Sequence, residues 1–428
     1  MSFLVEHYAN LAKQNLATDP WLRQVQKSGI DDLQRVNFPT RHDEDWKYSG
    51  LDKFLKHEFV LKQNDADKHA FEIIALGEHN NAPFGVKIPC INGEVMGLTD
   101  LRAKLPSALI IEPISDAIIK YPDIVKKYLN QILTPKHGLH ALNSAMLKQG
   151  LFIYVPENLA LVEPILLNHV NTEDNTAVFL RHLVVVGKGS TVKIIEDYQS
   201  VQDYNSFTNV VTEIMIAEHA EVEHFTIQRE GSKSFYFGHI VVKQLADSRY
   251  ANHLLNLGGQ WSRADIDINL VEKNARCLLN GISMPVNEQY MESKTFVNHA
   301  VAYCYSEQDY RGVADDKAQA AFNGKIYVAK DAVSTEARQQ NRNLLLANSA
   351  KIYSKPQLEI FADDVSCTHG ATVGQLDEEA LFYFATRGIA ESEARRYLLH
   401  AFADANLSKV ANKATAEWMR TLLEKQMR

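Results

Sequence analysis

The stretch NVVTEIMIAEHAEVEHFTIQ, residues 209–228, decides how this chain can fold. It contains two runs rich in β-branched and apolar residues, and only a short polar segment at residues 218–221 separates them. Such runs are typical of strands, and a turn of this length leaves no room for a crossover helix. The pattern therefore predicts two consecutive strands joined by a tight turn, as in the rungs of a β-helix.

Strand-like runs of the same kind continue from residue 151 to about residue 365, with no long helix between them. In RADIDINL, residues 263–270, every second residue is apolar, which predicts one core-facing side. The pattern excludes a doubly wound α/β fold and leaves a sandwich pair, a large barrel, a propeller or a solenoid. The solenoid is favoured, although no strict repeat period is visible. We expect asparagines at the corners of its coils, where Asn tolerates unusual backbone angles: Asn209, Asn256, Asn280, Asn298 and Asn323.

Helical patterns flank the strand-rich region. Residues 1 to about 60 show helical spacing, and Asp19 followed by Pro20 predicts the start of a helix. Trp46 and Tyr48 predict aromatic anchors onto a neighbouring part of the fold. After residue 374, three amphipathic segments predict a small helical domain that caps the strands.

A short helix is also predicted at residues 137–150, ended by Gly150. His137 and His140 lie one helical turn apart on it. Because the sequence offers no third ligand close to them, we expect surface or capping roles for both.

Composition excludes several classes of function. The chain has 428 residues, 46% of them hydrophobic, so it can bury a large core. Its formal net charge of −8 gives no electrostatic argument for nucleic-acid binding, which would call for a basic face. The first residues do not form a signal peptide, and the most apolar stretch, residues 108–119, is too short and too charged to span a membrane. We therefore predict a cytoplasmic protein with no nucleic-acid or membrane partner. No P-loop motif is present.

The stretch KPQLEIFADDVSCTHGATVG, residues 355–374, places Cys367 two residues before His369 at the end of a strand-like run. In an extended strand, both side chains project from one face, where they can reach one metal or sulfur species. Two ligands do not close a metal site, so either another chain completes it or the pair only packs. The four cysteines show no CxxC spacing, and Cys277 and Cys304 on strand-like runs are predicted core residues.

This stretch and three other blocks of the sequence resemble a known protein family. The blocks at residues 38–51, 140–158, 341–346 and 355–389 resemble SufD-like chains of the SufB/SufD family, which are scaffold proteins of the SUF iron-sulfur cluster assembly system. The resemblance implies a right-handed parallel β-helix core flanked by helical regions. We accordingly predict an N-terminal helical and mixed region at residues 1–145, the β-helix at 146–370 and a C-terminal helical domain at 371–428.

The resemblance also implies a function without turnover chemistry of its own. The chain is expected to pair with SufB and to bind the SufC ATPase, or to form a homodimer when it is alone. It is expected to hold no stably bound cofactor, and a transient iron-sulfur cluster or iron only in the complex. By the same resemblance, His369 takes part in cluster assembly at the SufB interface, as a metal ligand or proton relay, with Cys367 beside it. The predicted SufC contacts on the C-terminal helices are Phe382, Phe384, Arg387, Tyr397 and Phe402.

Three alternatives stay open. A SufB-like paralogue is disfavoured, because SufB-like chains carry a cysteine in the region that corresponds to residues 341–350 and this chain has none there. A carbohydrate-active or carbohydrate-binding β-helix would need converging carboxylates, for which Asp265 and Asp267 are the candidates. The third alternative is a purely structural protein.

Overall fold

The computed structural model describes residues 3–62, 85–133 and 136–427. Its helices are α1 (Phe3–Gln14), α2 (Pro20–Val36), α3 (Leu98–Arg102), α4 (Ile114–Lys120), α5 (Pro122–Tyr128), α6 (Gly138–Ala145), α7 (Glu378–Thr386), α8 (Glu391–Leu407) and α9 (Lys413–Gln426). Its strands are β1 (Val60–Leu61), β2 (Val86–Ile91), β3 (Glu94–Val95), β4 (Ile110–Pro113), β5 (Leu151–Val155), β6 (Ile165–Asn171), β7 (Thr176–Val186), β8 (Thr191–Ser200), β9 (Ser206–Ile216), β10 (Glu221–Arg229), β11 (Phe235–Gln244), β12 (Arg249–Asn256), β13 (Trp261–Leu270), β14 (Arg276–Ser283), β15 (Tyr290–His299), β16 (Tyr305–Ala314), β17 (Gln319–Val328), β18 (Thr335–Leu345), β19 (Lys351–Ile360) and β20 (Val365–Gly374).

The strands form a parallel β-solenoid of about eight turns, as predicted. From β5 onward, odd-numbered strands build one sheet and even-numbered strands the other, so each coil adds one strand to each sheet. A strand therefore pairs with the strand one coil away, as Glu221 in β10 pairs with Arg249 in β12. Each sheet begins with a short antiparallel pair, β4 with β5 and β2 with β3.

The main apolar core lies between the two sheets. The alternation predicted for β13 is confirmed, because its apolar residues face this core while Arg263, Asp265 and Asp267 lie on the outer face. Four residues of β13 fill the core: Ala264, Ile266, Ile268 and Leu270.

The turns between strands explain why no strict repeat was visible. Every turn from an odd strand to the next even strand, from β5 to β18, contains one residue with a positive φ. These residues lie 27 to 31 positions apart: Asn158, Gly189, His219, Asp247, Asn274, Tyr303 and Ser334. The turn predicted at residues 218–221 is thus confirmed, with His219 at φ 57°.

The prediction of corner asparagines is wrong for all five residues, because they lie within strands. Three of them, Asn209, Asn256 and Asn280, have buried side chains whose amides make hydrogen bonds inside the fold. Asn209 in β9, for example, donates from Nδ2 to the carbonyl of Leu139 at 3.0 Å. A buried amide with partners satisfies neighbouring backbone groups that the sheet ladder leaves unpaired.

The N-terminal helices cover the outer face of the odd-strand sheet. The predicted helix start is confirmed, since the Asp19 side chain accepts a hydrogen bond from the Leu22 amide at 2.8 Å. Helix α6 ends at Ala145, five residues before the predicted end at Gly150. Gly150 has a φ of 125° and lies so close to Arg181 that an added Cβ would be 2.8 Å from the backbone nitrogen of Arg181. Only glycine fits at this position, from which the chain continues into β5.

Residues 40–62, called here the N-terminal segment, cross the odd-strand sheet from β7 to its last strand. At one end, Val60 pairs with Thr176 of β7. At the other, Lys355 of β19 binds Glu44 at 2.8 Å, and the ring of Tyr48 stacks on that of Tyr353 with centroids 4.6 Å apart. Between them lies the buried ring of Trp46, parallel to that of Trp261. The predicted anchoring role of Trp46 and Tyr48 is confirmed.

The C-terminal helices begin directly after β20 and turn back along the solenoid. Helices α8 and α9 lie on the outer face of the even-strand sheet, where Leu399 and Leu423 share a buried cluster with Leu255 and Ile282. They do not close the end of the solenoid, so its last coil is open. The predicted domain boundaries at residues 145 and 370 stay a prediction. In the described ranges, no helix has the length and apolar character needed to cross a membrane.

Candidate functional site

Strand β20 carries the predicted pair at the open end of the solenoid. Cys367 pairs in register with Ala337 of β18, and His369 pairs with Gln339. Ala337 and Gln339 are buried in the interior, at 0% and 1% exposure. Cys367 and His369 therefore continue interior rows of the solenoid. In the part of the chain that the structure describes, no further coil covers them, so Cys367 is only half-buried and His369 is exposed.

The interior residues of the preceding coils that lie next to His369 are polar. Gln339 donates from Nε2 to Oε1 of Gln308 at 3.3 Å, and that oxygen also accepts from the Thr295 hydroxyl at 2.7 Å. On the neighbouring row, Asn343 donates to the carbonyl of Thr372 at 3.1 Å and so holds β20 from inside. The imidazole of His369 thus stands on a hydrogen-bonded column, and its position depends on the coil below it.

The Cys367 thiol is not activated within this chain. Burial raises its pKa above the ordinary value, and a hydrogen bond with the Ala337 backbone opposes only part of this effect. Since the thiolate is the nucleophilic and metal-binding form, a positive charge from outside would be needed to generate it at neutral pH. Among the described residues, no third His, Cys, Asp or Glu forms a metal-binding group with this pair.

The other cysteines are packed in the fold, as predicted for Cys277 and Cys304. Both are buried with free thiols, and Cys90 resembles them. Burial raises the pKa of Cys304 to about 11 and that of Cys277 further. These thiols therefore stay protonated near neutral pH and act as small apolar groups.

The residues predicted to contact SufC occupy three different environments. Phe382 on α7 is 72% exposed, and Arg387, just after that helix, lies over the ring of Tyr383 with its guanidinium 5.2 Å from the centroid. Phe384 and Tyr397 meet each other between α7 and α8, with centroids 6.0 Å apart.

Phe402 points the other way. It packs against the cluster beneath α8, and the Arg311 guanidinium of β16 lies 5.1 Å from its ring. The structure thus brings Phe382, Arg387, Phe384 and Tyr397 to one end of the helical region and places Phe402 at the junction with the solenoid. Helix α7 itself buries none of its residues.

Exposed apolar side chains concentrate near the open coil. Ile360 and Phe361 at the end of β19 are 39% and 59% exposed, and Val373 on β20 is 48% exposed. Together with Phe382 and Tyr383 on the following helix, they form the larger part of the exposed apolar surface between residues 350 and 400. Clusters of this kind mark interaction surfaces more often than isolated exposed residues do.

The surface role expected for His140 is wrong, because its side chain is only 1% exposed. His137 does occupy the N-cap position of α6, but its side chain makes no capping hydrogen bond. The sequence showed no third partner because Asp265 supplies it from β13, more than a hundred residues away. The spacing of two histidines by one helical turn was the only signal for this cluster.

The two carboxylates considered for carbohydrate chemistry share the outer face of β13. Asp265 is held by the guanidinium of Arg263 at 2.7 Å, and Asp267 by the ammonium of Lys136 at 3.0 Å. Lys136 also lies beside His137 at the start of α6, so both carboxylates face the N-terminal region. Each carboxylate therefore already has a cationic partner.

Comparison with known proteins agrees with this architecture. Residues 169–402 match the family described as SUF system FeS cluster assembly, SufBD core domain, and residues 4–167 match the SufBD protein N-terminal region. The iron-sulfur cluster assembly protein SufD of Escherichia coli (strain K12) is 30% identical over 87% of this chain and 86% of its own length. An iron-sulfur cluster assembly SufBD family protein of Synechocystis sp. is 29% identical over 92% of this chain and 88% of its own.

A more distant relative is protein ABCI7, chloroplastic, of Arabidopsis thaliana, which is 26% identical over 92% of this chain and 83% of its own length. The match to the core domain covers more than half of the chain and contains the open coil with Cys367 and His369. This chain therefore belongs to the SufBD family of iron-sulfur cluster assembly proteins, and within it is similar to SufD.

Proposed function

We propose that this chain is the SufD-type subunit of a cluster assembly scaffold, and that its open coil is the surface that pairs with SufB. The observation that carries the proposal is the interruption of the solenoid at β19 and β20. Among the described residues, nothing pairs with the outer edge of either strand, and the interior rows that end in Cys367 and His369 are exposed there. An uncovered strand edge with apolar neighbours favours pairing with another chain.

Pairing there would place His369 and Cys367 against residues of the partner. Two potential ligands on one chain suit a site that a second chain completes, with iron, sulfide or the nascent cluster as cargo. The cluster would stay only transiently, and this chain would contribute no turnover chemistry of its own. The predicted homodimer would use the same edge when SufB is absent, and the cytoplasmic location stays part of this proposal.

Helix α7 is the proposed docking element for SufC. It has no buried residues of its own, exposes Phe382 and Tyr383, and begins at Glu378, only four positions after the last residue of β20. A force on α7 would therefore reach the strand that carries His369 through a very short connection. Nucleotide-driven dimerisation of SufC would favour one arrangement of α7 and so open or close the edge beside His369.

Native mass spectrometry of the co-expressed chain, SufB and SufC tests this assignment. We expect a complex that contains one copy of this chain, one of SufB and two of SufC. Deleting the C-terminal helices would expose the apolar face under α8 and α9, so point substitutions are the better probe. Val373→Asp should abolish SufB recruitment, whereas Val162→Asp, at a more exposed valine in the turn before β6, should not.

For SufC, Phe382→Ser should remove one copy of the ATPase while leaving SufB bound. The matched control is Phe3→Ser, because Phe3 is 70% exposed on α1 at the opposite end of the chain. Cluster yield on the intact complex should fall with His369→Ala and stay unchanged with His42→Ala, an exposed histidine of the N-terminal segment. Normal assembly of the Val373→Asp variant would refute the pairing surface.

A further inference from the structure

A second group of ligand-type side chains lies far along the chain from the open coil, beneath the N-terminal segment. A cavity of about 430 Å³ separates the start of α6 from the outer face of β11 and β13. His137 and His140 border it from the helix side, and His239, Asp265 and Asp267 from the sheet. Covered by the N-terminal segment, these residues come together only in the folded chain.

Three of these side chains converge. His137, His140 and Asp265 each offer one ligand atom, and the three atoms lie within 4.8 Å of one another. Ligand atoms around a tetrahedral metal at about 2.05 Å are roughly 3.3 Å apart, so side-chain rotations would be needed to close the set. The two imidazole rings now stack with centroids 3.8 Å apart, and binding would turn them apart so that their in-plane lone pairs meet at one ion.

The histidines also carry nitrogen atoms without hydrogen bonds. In the described part of the chain, both nitrogens of His137 and Nε2 of the fully buried His140 have no hydrogen-bond partner. His239 is 2% exposed and stacks on His140. Neither of its ring nitrogens makes a hydrogen bond with a described residue, although Nε2 lies 3.4 Å from a carboxylate oxygen of Asp267. Buried polar atoms without partners are costly, and a cluster of them around one cavity indicates a ligand.

Carboxylates outnumber lysines in the lining of the cavity. Five carboxylates and three lysines line the cavity, and Asp267 and Asp45 each hold one of the lysines, at 3.0 Å to Lys136 and 2.5 Å to Lys294. Asp265 is oriented by the fork of Arg263, with contacts of 2.7 and 3.3 Å, which leaves lone pairs of the carboxylate available. Such an outer contact is typical of carboxylates that bind metals.

We propose that His137, His140 and Asp265 form a resident site for one divalent first-row transition metal ion, of the Zn²⁺ or Fe²⁺ type. Two imidazoles and one carboxylate suit both ions and leave an open coordination position for water. This site is separate from the proposed cluster-assembly edge, and it would give the isolated chain a bound ion that the resemblance alone does not lead us to expect. The ion would join α6 to β13 and so fix the N-terminal region on the solenoid.

The nitrogen atoms of both histidines are open to a ligand. Within the described residues, they accept a single hydrogen bond, a long one from the Lys136 amide to Nδ1 of His140 at 3.3 Å.

Metal titration of the isolated chain, stripped with a chelator, tests the proposal without SufB or SufC. We expect one equivalent of Co²⁺ to bind with visible absorption bands of a low-coordinate site, and Zn²⁺ to displace it; anaerobic Fe²⁺ forms the second arm. His137→Gln and Asp265→Asn should each weaken binding at least tenfold. His219→Asn, at an exposed turn residue, should leave binding unchanged.

His137 is only half-buried, so its substitution carries little risk for folding, and thermal melting of each metal-free variant checks this. A folded His137→Gln variant that binds Co²⁺ as tightly as the parent chain would overturn the proposal. Binding that disappears in His369→Ala but persists in His137→Gln would also overturn it, by moving the ion to the open coil. Because no partner is present, failure of this test would leave the proposed function untouched.

Discussion

Replacing Glu230 by Gln should change how the stability of this protein depends on pH. Glu230 follows β10 and is 4% exposed. Its Oε1 accepts hydrogen bonds from Asn171 at 2.7 Å and Thr208 at 2.6 Å, and its Oε2 accepts a weaker one from Gln228 at 3.4 Å. Burial outweighs these hydrogen bonds and raises the pKa of the carboxyl group to about 7.

The direction of the effect follows from proton binding. Between the unfolded pKa near 4.5 and the folded pKa near 7, the folded chain holds a proton that the unfolded chain has released. The stabilising contribution is therefore complete below the lower value and is lost as the pH rises through the upper one. A difference of about 2.5 pKa units corresponds to roughly 3 kcal/mol. With an unfolding entropy of about 0.9 kcal/mol/K for a chain of this length, that is about 3 to 4 °C in Tm.

Thermal melting of the parent chain and Glu230→Gln between pH 4 and pH 8 measures this difference. Gln cannot ionise, so the Tm of the parent chain should fall by about 3 to 4 °C relative to the variant over this range. The lost contact with Gln228 adds only a constant offset. Glu288→Gln, at an exposed turn residue, is the control for removing one carboxylate. Parallel pH curves for the parent chain and Glu230→Gln would refute the reasoning.

Two further changes probe the packing of the N-terminal region. Gly29→Ala should lower Tm by several degrees, because the added Cβ on α2 would lie 2.9 Å from Cα of Ala145 in α6. Gly374→Ala is the control in the same melting experiment. It should leave Tm unchanged, because no non-neighbouring atom in the described chain lies within 4 Å of the position of its Cβ. Arg181→Met should lower the free energy of unfolding by about 3 to 5 kcal/mol, because it leaves the buried Glu213 carboxylate without the guanidinium that lies 3.0 Å away. Arg249→Met, which breaks an exposed ion pair, should lower it by under about 1 kcal/mol. Urea denaturation that ranks these two variants equally would contradict this expectation.

The strand-rich core was predictable from the sequence because its signals are local. Alternation in β13, the short turn at His219 and the cap at Asp19 each depend on a few neighbouring residues. The coil corners were not predictable, because the left-handed position is occupied by Asn, Gly, His, Asp, Tyr or Ser in different coils. Because the coils differ in length, the sequence also shows no regular repeat that would mark the corners. The prediction therefore relied on residue type alone and selected asparagines that lie inside strands.

In the candidate site, too, the sequence predicted the local features but not those set by long-range packing. Cys367 and His369 share a strand, so their common face followed from spacing alone, but their exposure depends on the absence of a further coil above β20. The cluster of His137, His140 and Asp265 depends on how the N-terminal segment covers β13. That contact is set by long-range packing, as is the burial of Arg181 and Arg263 on strand faces that would otherwise be solvated.

The N-terminal segment also constrains the order in which this protein folds during synthesis. Glu44 and its partner Lys355 are 311 residues apart in the chain. At a translation rate of 5–20 residues per second, the ribosome needs about 16 to 60 s to make the second residue after the first. Trp46 can reach its partners Phe237 and Trp261 well before then, but Glu44 and Tyr48 lack theirs until β19 is made, so the N-terminal segment must dock in steps, with its contacts to β19 formed last.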